Sequence, residues 1–121
     1  MPVITGLHVV GIPVHDQDVA LAFYEALGLQ ARLDVPMGQG ARWIEVALPG
    51  TPVALALEPA HAERPSGVET GIRLTTGDAA AAHAALRARG VDVDDILRWP
   101  GVPAMFAFRD QDGNGLEIVE A

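Results

Sequence analysis

Cysteine and lysine are both missing from this chain of 121 residues, so its eight basic side chains are all arginines. Without cysteine there is no disulfide, thiolate metal site, iron–sulfur cluster or thiol nucleophile. Without lysine there is no Schiff-base chemistry and no covalently held pyridoxal cofactor. Positive charge is scarce: eight basic against sixteen acidic residues give a formal net charge of -8. That balance excludes the basic footprint of sequence-independent nucleic-acid binding. It suits solubility, or a small ligand that is neutral, cationic or held through a metal. No apolar run is long enough to span a bilayer. No basic segment followed by an apolar run opens the sequence, so no signal peptide is expected and the cytoplasm is the expected compartment.

Half of the residues are apolar, enough for one domain with a core of its own. The pattern is written twice. In the first module, about residues 4–59, Leu7 to Val14 reads as a strand. Asp16 or Asp18 caps a helix with the apolar stripe Val19, Ala22, Phe23, Ala26 and Leu27, stopped by Gly28. Leu29 to Val35, Arg42 to Leu48 and Thr51 to Leu57 read as strands, the last two joined at Pro49-Gly50. A polar connector over about 60–67 follows. The second module, about 68–120, repeats the order. Gly71 to Thr75 is a strand, and Thr76 caps a helix from Asp78 to Arg89, stopped by Gly90. Val91 to Leu97, Ala104 to Phe108 and Leu116 to Val119 are strands, the last two paired across Asp112-Gly113-Asn114-Gly115. The expected fold is α+β: two βαβββ modules whose sheets curve around a concave pocket.

Strand alternation then sorts side chains into a helix-facing and an inward-facing set. Ile44, Val46 and Leu48 take the helix side of their strand, leaving Trp43 and Glu45 inward. Leu55 and Leu57 leave Ala54, Ala56 and Glu58 inward. Ile72 and Leu74 leave Gly71, Arg73 and Thr75, and Leu116 and Ile118 leave Glu117 and Val119. His8 shares a phase with Val10 and Ile12 and is counted inward.

His8 and Glu117, at opposite ends of the chain, suit metal ligation, a buried hydrogen-bonded pair, or acid–base work without a metal. Glu58, just before Pro59, suits a third metal ligand or a solvated position. Arg73 suits a clamp on a ligand's anionic group or an ion pair with Glu45 or Glu117. Trp43 and Trp99 suit stacking on a flat ligand, or plain packing; Trp99 lies in the stiff Arg98-Trp99-Pro100-Gly101-Val102-Pro103 loop, placed to cover a cavity mouth. Asp110 and Asp112 read as hairpin residues. His15, His61 and His83 carry no site signal.

Leu7-His8-Val9 to Val14-His15-Asp16, Ala22-Phe23-Tyr24 with Leu27-Gly28-Leu29, and above all Phe108-Arg109-Asp110-Gln111-Asp112-Gly113-Asn114 leading to Leu116-Glu117-Ile118-Val119-Glu120 resemble the vicinal oxygen chelate superfamily of glyoxalases, bleomycin resistance proteins and extradiol dioxygenases. The resemblance covers nearly the whole chain. It implies the paired βαβββ fold, a homodimer and a small-molecule ligand. Metal-dependent members of that family take ligands from four positions: the first, fourth, fifth and eighth strands. His8 and Glu117 match the first and last; the fourth falls on Ala56, or on Glu58 two residues on, and the fifth on Gly71. Two functions follow as expectations. One is a binding protein without a complete metal site, holding a cationic or aromatic compound against Trp43, Trp99, Glu45 and Arg73. The other is a glyoxalase-like lyase or isomerase, or a dioxygenase, using zinc, nickel, manganese or iron on His8, Glu117 and Glu58.

Overall fold

A computed structural model describes residues 2–121. Two compact units, residues 1–66 and 67–121, each hold one four-stranded sheet and one helix.

In the first unit β1 (Val9–Val14), α1 (Gln17–Ala26), β2 (Gln30–Gly38), β3 (Ala41–Ala47) and β4 (Ala54–Pro59) follow in chain order. The sheet order is β1-β4-β3-β2, with β1 parallel to β4 and the other pairs antiparallel. The parallel pair β1 and β4 is joined by the long path through α1, β2 and β3, while hairpins supply the antiparallel pairs. Asp16 is the N-cap of α1, and its carboxylate accepts from the Asp18 and Val19 amides at 3.0 and 3.1 Å. Gly28, at φ 106°, ends the helix in a conformation that a side chain resists.

The buried face of α1 is Ala20 and Tyr24, both fully buried; of the expected stripe Val19, Ala22, Phe23, Ala26 and Leu27, only Phe23 and Leu27 are half-buried. Val19 is half exposed, and Ala22 and Ala26 are exposed. Gln17 sets the rotation: its amide donates to the carbonyls of Arg42 (2.6 Å) and Leu57 (2.8 Å) and accepts from the Arg42 amide (3.1 Å). A polar residue at the head of the helix therefore faces the sheet, and residues 20 and 24 fall in line behind it. Beneath lie Ile12, Val14, Ile44, Val46, Leu55 and Leu57, all buried.

The second unit repeats the topology: β5 (Glu69–Thr76), α2 (Ala79–Ala88), β6 (Asp92–Val93), β7 (Met105–Arg109) and β8 (Gly115–Glu120), in the order β5-β8-β7-β6. The cap of α2 is Asp78, accepting from Ala81 at 3.0 Å, where Thr76 was expected. An aspartate directly before the first helical residue outcompetes a threonine two places earlier, whose hydroxyl lies 3.4 Å from the Asp78 amide. The expected strand from Val91 to Leu97 shrinks to two residues and one bridge, Leu97 to Met105. Conversely, β2 runs on to Gly38, past the expected end at Val35. The helix side of this sheet is sealed by Phe106, Phe108, Leu116 and Ile118, with Ala79 and Leu86 of α2 above.

Asn114 fixes the turn that aligns β8. Its side chain is fully buried, and Oδ1 accepts from the amides of Gly67 (2.8 Å) and Val68 (3.0 Å) while Nδ2 donates to Asp110 Oδ2 (3.0 Å). Asp110 Oδ1 takes the amides of Asp112 and Asn114 at 2.8 and 2.9 Å. Asp110, expected to serve the hairpin, thus does so, while the Asp112 carboxylate accepts from the Gln111 side chain at 2.9 Å. Asn114→Ala removes the acceptor for two backbone donors, and we expect a loss of about 2–4 kcal/mol. Asp16→Ala loses one cap, about 1 kcal/mol. Urea unfolding midpoints of the two variants check that ordering.

Candidate functional site

Each sheet has one face under its helix and one face without a helix. Register defines the latter in the first unit: Gly11 aligns with Ala56, Ala56 with Glu45 and Glu45 with Leu33, and one row on, Pro13 aligns with Glu58 and Val35 with Trp43. Paired residues project to the same side of a sheet. Trp43, Glu45, Ala56 and Glu58 therefore share the open face, as alternation predicts.

Glu45 is 5% exposed. Its Oε2 accepts from the Trp43 indole at 2.7 Å, and its Oε1 accepts from Arg32 Nε and Nη2 at 3.0 and 2.7 Å. Arg32 Nη1 donates to the Pro52 carbonyl at 2.7 Å. The indole hydrogen bond first, then Arg32, hold the Glu45 carboxyl below the usual carboxylate range, against the opposing effect of burial. His8 Nε2 stands 3.8 Å from Glu45 Oε2, with a side chain 77% exposed. That is too long for a hydrogen bond.

Two features of this cluster depart from the sequence reading. Val10 and Ile12 align with Leu55 and Leu57, so their phase is helix-facing, not inward. His8 still reaches the Glu45 side because it precedes the first residue of β1, where the pleat no longer dictates direction. Arg32 was not singled out at all. In strict alternation it would oppose Leu33, which aligns with Glu45. A bulge between Ala31 and Leu33 inserts Arg32 as an extra residue and turns it towards the carboxylate. An arginine in a strand otherwise fitting an edge is the only trace of this in the sequence.

In the second unit Arg73 aligns with Glu117, and Glu117 with Ala107. Arg73 Nη2 is 3.1 Å from Glu117 Oε1, the ion pair that was one of the two readings of Arg73. Gly71, two residues earlier, sits at φ 75° beside a register shift in β5. Trp99 is 67% exposed. It lines a cleft of about 440 Å3 with Arg98, Pro103 and Glu120. Glu120 accepts from the first amide of α2, at Ala79, so that cleft lies on the helix side of the sheet, away from Arg73 and Glu117.

These residues do not fit a divalent metal at the family's four positions. Ala56 has no donor, and Gly71 has no side chain and a backbone that disfavours one. Glu117 is paired with Arg73, and the carboxylate nearest His8 is already engaged by Trp43 and Arg32. Among the described residues, no three His, Asp or Glu side chains gather as a metal shell. Structural zinc takes four protein ligands and catalytic zinc three.

A folded-state pKa held below its unfolded value stabilises above the unfolded pKa, and that stabilisation is lost as pH falls through the depressed value. We therefore expect Glu45→Gln to lose about 1–2 kcal/mol at neutral pH, because Arg32 loses its charged partner. The gap to wild type should close on acidification below the ordinary glutamate range, about pH 4. Thermal unfolding of both proteins from neutral to acid pH checks the convergence; parallel curves would contradict it.

A family model, Glyoxalase/Bleomycin resistance protein/Dioxygenase superfamily, matches residues 6–118. The chain is similar to TnmS3, an antibiotic binding protein from Streptomyces sp. CB03234, with 32% identity and a TM-score of 0.86 over 99% of this chain and 98% of that one. It is similar to a superfamily member from Sphaerobacter thermophilus DSM 20745, with 32% identity and a TM-score of 0.87 over 98% of each chain. A bleomycin resistance determinant encoded on the transposon Tn5 shares the fold, at 19% identity and a TM-score of 0.66 over 96% of this chain and 98% of that one. No curated protein sequence matches the chain. Topology, repeat and near-complete family match agree, and the protein belongs to the Glyoxalase/Bleomycin resistance protein/Dioxygenase superfamily.

Proposed function

We propose that this protein binds a small aromatic molecule without a metal ion and sequesters it unchanged. The observation that carries this reading is the state of the four ligand positions. Two, Ala56 and Gly71, offer no donor, and a third, Glu117, is neutralised by Arg73. Glu58, the alternative on the fourth strand, would leave His8 and Glu58 without a third ligand, because among the described residues no three His, Asp or Glu side chains gather and a catalytic ion takes about three. A binding protein needs only shape, apolar surface and a few directed polar groups. The open face of the first unit offers these: the Trp43 ring, oriented by its bond to Glu45, with Leu33 and Val35 each 40% exposed on the same side. The likeness to TnmS3, described as an antibiotic binding protein, supports the same reading and points to an antibiotic-like ligand.

The test is a titration of chelator-treated protein with a panel of aromatic antibiotics, followed by tryptophan fluorescence. At least one compound should quench the signal to saturation and be recovered with unchanged mass. Zinc, nickel, manganese or iron(II) should not alter its affinity. Trp43→Phe should abolish most of the quenching and weaken binding by about 1–3 kcal/mol. A stoichiometric ion lost in His8→Ala, or a ligand recovered chemically altered, would replace this reading with metal-dependent lyase or dioxygenase chemistry through His8, Glu58 and Glu117.

A further inference from the structure

Glu58 is the unused carboxylate of the open face. Glu45 is occupied by Arg32 and Trp43, and its charge is balanced by the guanidinium. No ion pair or hydrogen bond engages the Glu58 side chain among the described residues. Arg64 donates its Nη2 to the Gly11 carbonyl at 2.7 Å and forms no ion pair with Glu58. Glu58 is half-buried at the end of β4, so it is neither in bulk water nor neutralised.

Its placement depends on a glycine. The Glu58 carboxyl group lies over Gly11 on the neighbouring parallel strand. A β-carbon at that position would come within 2.9 Å of the carboxyl carbon and closer still to one oxygen, so any other residue would push the group away. Gly11 has no positive φ to explain it. The space it leaves is filled by the carboxyl group.

The strands also part here. The ladder between β3 and β4 comprises Glu45–Ala56 and Val46–Leu55. Beyond it the Arg42 and Leu57 carbonyls are both taken by Gln17. Trp43 and Glu58 lie on the same face one step past the last pair, an aromatic ring and a free carboxylate on diverging strands. An aromatic face and a carboxylate together recognise a flat cation: the ring stacks, and the charge meets a half-desolvated anion.

We propose that Glu58, seated over Gly11, reads positive charge on the bound molecule, and that the ligand is a flat organic cation stacked on Trp43. This rests on the binding reading above and narrows it to one charge class. The net charge of -8 favours the approach of such a ligand.

Isothermal titration at neutral pH with 9-aminoacridine, a flat cation, and acridine, its uncharged counterpart, tests it. Wild type should prefer the cation by about tenfold or more. Glu58→Gln should remove that preference and leave acridine affinity within about twofold. Gly11→Ala, which keeps the charge but displaces the carboxyl group, should weaken the cation in the same direction, with melting temperature as the control for folding. Trp43→Phe should weaken both dyes. Equal wild-type affinity for the two dyes, or an unchanged preference in Glu58→Gln, overturns the assignment of Glu58 and leaves metal-free binding standing. Binding of neither dye by wild type overturns the charge class; binding of the dyes only after metal is added overturns the underlying reading.

Discussion

A carboxylate out of water must be given partners, and Glu45 is where the first unit meets that demand. Moving an ion from water into protein costs several kcal/mol unless hydrogen bonds and an opposite charge replace the lost hydration. Arg32 supplies two donors to one oxygen, and Trp43 supplies one to the other. The consequences spread along two strands and the loop that follows them. Edge strand β2 must bulge to turn Arg32 inward, the Pro52 carbonyl must meet the remaining guanidinium nitrogen, and the Trp43 ring is drawn along β3. A rigid indole with a defined edge and an exposed face is what a stacking site requires. The polar network that allows the buried charge therefore also orients the aromatic surface.

The two units solve the same problem differently. Both run in the order strand, helix, three strands, with the first and last strands parallel neighbours. In the middle row of the first unit the strands carry Gly11, Ala56 and Glu45; in the second, Arg73, Glu117 and Ala107. Each row holds one carboxylate neutralised by one arginine, but the acid is on the third strand in one unit and the fourth in the other. Duplicated topology thus does not impose duplicated chemistry. It imposes only where a polar group on the open face can find a partner. In Glu45 and in Glu117 the ion pair fills the coordination capacity of the acid with guanidinium.

The polar alternation of β3, β4, β5 and β8 was legible, because a strand with one sealed face must place apolar residues at every second position. That Trp43 and Glu45 share a face, and that Arg73 and Glu117 do, follows from that alone; which acid Arg73 pairs with does not. Gly71 was visible as a residue without a donor, although its positive φ was not. Arg32 was hidden by a bulge, His8 by lying outside the strand whose phase it was assigned, and the rotation of α1 by Gln17, a polar residue bonded to two carbonyls of the sheet. Each exception is a polar side chain satisfying backbone or charge, while the period being read was hydrophobic.

The sequence by itself determined the class of fold, the repeat, the stops at Gly28 and Gly90 and the exclusion of thiol and amine chemistry. These are properties of local conformation and composition, settled within a few residues. Only the tertiary structure decided which carboxylate is neutralised and which is free. Glu45 and Glu58 are the same residue type on the same face. What separates them is an arginine thirteen positions back along the chain, turned inward by a bulge, and a missing side chain at Gly11 on a parallel neighbour. Charge pairing depends on distances of a few ångströms between strands remote in sequence, and no local pattern encodes them.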